Sequence, residues 1–184
     1  MAISEATYER VALEDPSGQW ELTCGRLRSK PGMTTAHNYA MRALHEQLFL
    51  QLSRGEYTIS ANASRLRIST GTYYIPDLCV LPREFERRKL LEMPGRLEVY
   101  EEPLPLVVEV WSPSAGDYDV EEKLREYQRR GDVEIWRIHP YEHTLTVWRL
   151  QTDGNYSETL SRAGQVQLAA LPNASIDLDA LFPS

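Results

Sequence analysis

Two carboxylates and one amine carry the clearest chemistry in this chain. Asp77 lies in Ile75-Pro76-Asp77-Leu78-Cys79-Val80-Leu81, and Glu109 lies in Leu106-Val107-Val108-Glu109-Val110-Trp111. Lys123 follows in Asp119-Val120-Glu121-Glu122-Lys123-Leu124-Arg125-Glu126-Tyr127. Each carboxylate interrupts a run that belongs in an interior. An ionised carboxylate there is costly unless it is paired, hydrogen-bonded or bound to a metal. Phosphodiester hydrolysis asks for such a set. A metal neutralises the phosphate and lowers the pKa of bound water. Mg²⁺ prefers oxygen ligands in octahedral geometry and keeps several waters, so carboxylates suit it. A cation then stabilises developing charge or orients the attacking water. Asp77 and Glu109 supply the ligands if their strands are neighbours, and Lys123 supplies the cation.

The elements that must position these groups follow from the apolar pattern. Residues 1 to 18 predict a short helix and a loop ending at Asp15-Pro16-Ser17-Gly18, and Trp20 to Leu27 alternates as a first strand. After the Pro31-Gly32 turn, Thr34 or Thr35 caps a helix from about Ala36 to Ser53, with Met41, Leu44, Leu48 and Leu52 at helical spacing. Short strands are expected at 57–60, 66–69 and 74–81, the last interrupted by Pro76. Arg83 to Pro103 is polar and reads as a long surface loop with some helix. Leu104 to Trp111 is nearly continuous in apolar residues, as in a central strand covered on both faces. A helix from about Tyr118 to Arg130 stops at Gly131, and a strand follows at Glu134–His139. A hairpin turns at Asp153-Gly154, a last strand runs from Gln165 to Ala169, and Ile176 to Phe182 predicts a short terminal helix. This order predicts a mixed α/β domain.

Several other residues gain meaning from these elements. Asp119, Lys123 and Tyr127 stand at i, i+4 and i+8 on one helix face, beside an apolar stripe of Val120, Leu124 and Tyr127. Lys123 then sits at the margin of the buried stripe. Taken singly, it reads as a solvated helix lysine among Glu121, Glu122, Arg125 and Glu126. Asp77 alone reads equally as a strand-end aspartate capping backbone amides. Glu21 is either a further metal or supporting carboxylate or a surface salt-bridge partner. His37 either contacts phosphate or is a plain helix-start histidine. Tyr127 reads first as packing. His139 and His143 bracket a turn, but zinc would need partners that the sequence does not offer.

The net charge of −7 does not advertise nucleic-acid binding, so a DNA partner requires local positive charge. Arg26, Arg28 and Lys30, then Arg83, Arg87, Arg88, Lys89 and Arg96, then Arg125, Arg129 and Arg130 are the available groups. Cys24 and Cys79 have no framework or metal spacing and read as reduced, half-buried thiols. No apolar run reaches membrane-spanning length, and the first residues lack signal-peptide order, so the expected compartment is the cytoplasm.

The stretch Glu109-Val-Trp-Ser-Pro-Ser, with Asp119, Lys123, Tyr127, Gly131 and Glu134-Ile-Trp, resembles the Uma-two restriction endonuclease family of the PD-(D/E)XK nuclease superfamily. Pro76-Asp77 matches the PD element, while Trp20-Glu21-Leu22, Gly25-Arg26-Leu27 and His37 resemble the family's N-terminal part. The superfamily's usual lysine lies two residues after the glutamate, where this chain has Trp111. In this family that lysine resembles one moved to the following helix, here Lys123. His139-Pro140 also departs from the usual aspartate before that proline.

The resemblance implies a restriction-endonuclease-like mixed β-sheet core flanked by helices. The resemblance runs over about 20–182, the core of a single expected domain over 1–184 with an N-terminal extension at 1–19. It also implies an endonuclease dependent on Mg²⁺ or Mn²⁺ that hydrolyses DNA. Asp77 and Glu109 would hold the metal, and Lys123 would complete the catalytic set. Glu21, His37, Asp119 and Tyr127 are additional candidates. The alternatives are an inactive nuclease fold that binds nucleic acid or protein, and a metal-dependent hydrolase of another phosphate ester. A homodimer is one way for so small a domain to extend its DNA-binding surface.

Overall fold

A computed structural model describes residues 2–15, 17–113, 116–171 and 173–182, with the backbone alone for 116–120. In chain order the first elements are α1 (Glu5–Glu14), β1 (Trp20–Thr23), β2 (Arg26–Ser29), α2 (Thr35–Gln51), β3 (Tyr57–Ala61), β4 (Arg65–Ser69), β5 (Thr72–Tyr74) and β6 (Leu78–Pro82). Then come α3 (Arg83–Glu92), β7 (Val99–Tyr100), β8 (Leu106–Val110), α4 (Gly116–Arg130), β9 (Glu134–His139), β10 (Thr144–Leu150) and β11 (Tyr156–Ser161). The chain closes with β12 (Gln165–Gln167), β13 (Ser175–Asp177) and a 3-10 turn at Asp179–Leu181.

The strands form a six-stranded sheet ordered β11-β10-β9-β8-β6-β3, a five-stranded sheet ordered β2-β1-β5-β4-β7, and the pair β12-β13. The larger sheet is antiparallel except where β8 pairs parallel with β9. A parallel pair needs a crossover, and α4 supplies it.

The apolar run in β8 is explained by burial on both faces. Leu106, Val108 and Val110 face Ala40, Leu44 and Leu48 of α2 and the C-terminal segment. Val107 faces the other way, into a layer with Tyr127, Ile135 and Tyr74. Side chains alternate along a strand, so Glu109 also points toward α4.

Four local readings change. The expected strand from Trp20 to Leu27 is a hairpin, because Cys24 (φ 49°) and Gly25 (φ 76°) both take the left-handed conformation that a tight two-residue turn requires. That turn exposes Cys24, while Cys79 is buried. The run from Tyr74 to Leu81 is two strands, one in each large sheet, parted by Ile75-Pro76-Asp77. Proline cannot donate to a ladder, so the chain turns a corner there. The polar stretch after Pro82 holds the regular helix α3, which has acids in its first turn, Lys89 in its last and no buried residue. The terminal segment is the strand β13 and a single 3-10 turn rather than a helix over 176–182.

The first helix is part of the packing. Ser4 caps it by accepting from the Thr7 amide at 3.2 Å. Tyr8 stacks on Tyr73 at 5.0 Å and donates its hydroxyl to the Trp20 carbonyl at 2.7 Å. Among the described residues, no helix is long and apolar enough to cross a membrane.

Candidate active site

The corner at Pro76 sets Asp77 where the two sheets meet. Leu78 pairs with Val108 in the antiparallel register, so one further step brings Asp77 beside Glu109. The Val110 amide donates to Asp77 Oδ2 at 2.7 Å, and His37 Nε2 lies 3.0 Å from the same oxygen. Lys30 Nζ lies 2.7 Å from Asp77 Oδ1. The same ammonium donates to Asn62 Oδ1 at 2.6 Å and to the Ile75 carbonyl at 2.8 Å.

Helix α4 delivers the second half of the cluster. Lys123 and Tyr127 are its buried positions among residues 121–130. The Tyr127 hydroxyl donates to Glu109 Oε1 at 2.7 Å. Lys123 Nζ donates to Glu21 Oε1 at 2.9 Å and stands 3.5 Å from Glu109 Oε1. It also lies 5.4 Å from the centre of the Tyr74 ring. Lys123 is only 5% exposed, so it is buried in the cluster rather than solvated or marginal. Glu21 reaches in from β1 and accepts the Ile75 amide at 2.8 Å, which ties the smaller sheet to the site. His37 is fixed near the start of α2, where its amide donates to the Thr34 hydroxyl at 3.2 Å.

Glu21, Lys30, His37, Asp77, Glu109 and Lys123 line a small cavity of about 30 Å³, with Ser112 and Val110 in its wall. Its electrostatics set the two acids apart. Burial pushes Glu109 up to about 7; Asp77 and Glu21 add to the rise, and Lys123 and Lys30 oppose it. Burial also acts to raise Asp77, but Lys30 and His37 outweigh it and hold that carboxyl well below the usual range. Burial and the neighbouring Glu109 drive the Tyr127 hydroxyl well above its ordinary value, so it serves as a donor.

A bound metal ion would need a donor set that fits it. Among the described residues, no group of three or more His, Cys, Asp or Glu side chains is arranged to hold one. That excludes a closed zinc-type site of those residues. A hard divalent ion is different, because it binds through one or two carboxylates and keeps its waters. Adjacent Asp77 and Glu109 fit that pattern. The raised Glu109 also marks a carboxylate whose charge is under-compensated.

Of the residues expected at the site, Asp77, Glu109, Lys123, Glu21, His37 and Tyr127 come together. The side chain of Asp119 lies outside the described residues. Lys30, Tyr74 and Ser112 were not anticipated there. The sequence groups Lys30 with the cations available to phosphate, whereas its ammonium is bound to Asp77. Other members of that group are also engaged internally: Arg88 with Glu102, Arg96 with Glu9, Arg129 with Glu126 and Arg130 with Asp132.

Comparison with known proteins places this geometry. A crystal structure described as "a putative nuclease belonging to DUF820" from Anabaena variabilis ATCC 29413 is 16% identical, with a TM-score of 0.68 over 88% of each chain. At that identity the likeness speaks to the fold alone, a mixed α/β fold. No curated protein matches the chain. The Uma2 family model, whose description reads "Putative restriction endonuclease", matches residues 6–179. With nearly its whole length and both halves of the buried cluster inside that match, the chain belongs to the Uma2 family.

Proposed function

We propose that the chain is a metal-dependent DNA endonuclease acting at the Asp77–Glu109–Lys123 cluster. One observation carries the reading: the Asp77 carboxylate immediately before β6 and the Glu109 carboxylate of the neighbouring β8 share a small cavity with a lysine from the following helix. Family membership supports a nuclease, and restriction-endonuclease-like proteins generally use divalent metals.

Asp77 and Glu109 hold Mg²⁺ or Mn²⁺ in this proposal. The bound ion supplies phosphate neutralisation and a lowered pKa for its water. The chain does the rest. The Val110 amide fixes the Asp77 carboxylate. Tyr127 holds one oxygen of Glu109 in place. Glu21 acts on Lys123 rather than on the ion, steadying the ammonium beside Glu109, where it orients water or stabilises charge on the phosphate. The lysine therefore comes from α4, and the strand position two residues past Glu109 is left to Trp111.

The test is Mn²⁺-dependent cleavage of single-stranded and duplex DNA by wild type, Glu109→Gln and Glu109→Ala. Each variant is expected to lose at least about 10²-fold in rate while its circular dichroism stays native. Full activity in either one would sink the assignment.

A second reading is a nuclease-fold protein that no longer cuts and binds a protein or nucleic acid. It is favoured by the full engagement of Asp77 with Lys30 and His37, and by the net charge of −7. A silent calorimetric titration of the wild-type protein with Mn²⁺ would select it.

A further inference from the structure

An aromatic corner adjoins the candidate site, and the chemistry above does not use it. Trp111 follows Glu109 by two positions, and its amide donates to the Ile138 carbonyl at 2.8 Å, so strand geometry continues through it. It therefore shares Glu109's face of the sheet. On β9, Arg137 is the register partner of Glu109, and His139 occupies the same face two positions on. Trp111 and His139 stack at 4.3 Å with planes 20° apart. Tyr141 stands edge-on to Trp111 at 5.7 Å and 84°.

The corner is tied to the site at both ends. Ser112, next to Trp111, lines the cavity. The Tyr141 hydroxyl lies 3.0 Å from the hydroxyl of Thr34, the residue that caps α2 and accepts the His37 amide. Tyr141 is nonetheless 50% exposed. A ring held by a hydrogen bond, edge-on to a second ring and open to solvent beside a phosphodiester site, suits a flat ligand.

Charge indicates which one. Duplex affinity comes mainly from neutralising phosphates with lysine and arginine. This chain carries a net charge of −7, and Arg88, Arg96, Arg129 and Arg130 are each paired with an acid. In a chain with net acidic charge, stacking on an aromatic face adds affinity beyond what phosphate contacts supply. The faces of paired bases are covered by their neighbours, whereas an unpaired base offers its own. We infer that the Trp111–His139–Tyr141 corner stacks an unpaired nucleobase next to the phosphate to be cut, so that the substrate is single-stranded DNA. This inference rests on the nuclease reading of the neighbouring cluster.

Binding of a fluorescein-labelled thymidine oligonucleotide, followed by anisotropy with EDTA present, tests it without cleavage. Tyr141→Ala should bind about tenfold more weakly than wild type. Tyr141→Phe, which keeps the ring and loses only the Thr34 contact, should bind nearly as wild type. An abasic oligonucleotide should bind the wild type as weakly as thymidine binds Tyr141→Ala, and a duplex of equal length should bind more weakly than the single strand. Undiminished binding by Tyr141→Ala, base-independent binding or a preference for duplex would overturn the inference. The two readings fail separately. A wild type that binds single strands through Tyr141 but never cuts keeps the corner and loses the nuclease. Duplex cleavage indifferent to Tyr141→Ala keeps the nuclease and loses the corner.

Discussion

Lys30 decides how readily Asp77 takes another cation. Its ammonium sits 2.7 Å from Asp77 Oδ1, with both side chains nearly buried. In the proposed site it occupies an oxygen that a metal ion would use. Lys30→Met should then bind Mn²⁺ about tenfold more tightly by titration calorimetry, a gain of about 1.4 kcal/mol. The same variant should be less stable without metal by roughly 3 kcal/mol, because breaking a buried pair leaves a charge uncompensated. Weaker Mn²⁺ binding would mean that Lys30 supports the ion instead of competing with it. Nothing in the sequence marked this role. Arg26-Leu27-Arg28-Ser29-Lys30-Pro31-Gly32 reads as exposed and polar, yet the Lys30 ammonium reaches inward to Asp77, Asn62 and the Ile75 carbonyl. Glu109 and Tyr127 were easier to find, since one breaks an apolar strand and the other falls on the face of α4 that meets it.

At the level of elements, α1 is joined to the smaller sheet by a polar contact as well as by Tyr8. Glu5 accepts the Gly71 amide at 2.8 Å and pairs with Arg67 at 3.0 Å. The Gly71 hydrogen bond, against some desolvation and with help from Tyr73 and Arg67, lowers the Glu5 pKa from its usual 4.5. A carboxyl with a folded-state pKa below its unfolded value adds stability above the unfolded pKa. That stability is lost as pH falls through the folded one. Glu5→Gln should therefore cost about 1 kcal/mol at neutral pH in urea melts, and the difference from wild type should shrink as pH falls below 4.5 and through the lowered folded-state pKa. A penalty constant from pH 7 to pH 3 would assign the effect to packing. The elements that were legible share a physical cause. β8 is apolar because both its faces are covered, and α2 repeats its apolar residues at helical spacing because one face meets β8. The elements that were misread lack such a pattern. α3 buries nothing, so no stripe betrays it. The β1–β2 turn uses Cys24-Gly25, whose first residue carries no turn signal. The Pro76 corner was visible as an interruption, but local pattern does not say that the strands on its two sides join different sheets.

For the molecule as a whole, the candidate site lies on the seam between the two large sheets. Glu21 comes from the smaller sheet, Glu109 from the larger, and Asp77 from the corner joining them, while α2 and α4 bring His37 and Lys123. Each contributes to a cluster around Glu109, whose charged form burial penalises, a cost the neighbouring Lys123 and Lys30 offset in part. An ion bound there would relieve that cost and hold the sheets together, and it would bind the folded chain far better than the unfolded one. Linkage sets the size: at a concentration near 100 times Kd, a ligand specific to the folded state adds about 2.7 kcal/mol. For a chain of this length that is a rise of roughly 5–10 °C in Tm. Mn²⁺ should produce this shift in the wild type by scanning calorimetry, and Glu109→Gln should abolish most of it. Ion binding to surface carboxylates would give the same shift in both proteins, and such a result would detach the seam from metal binding altogether.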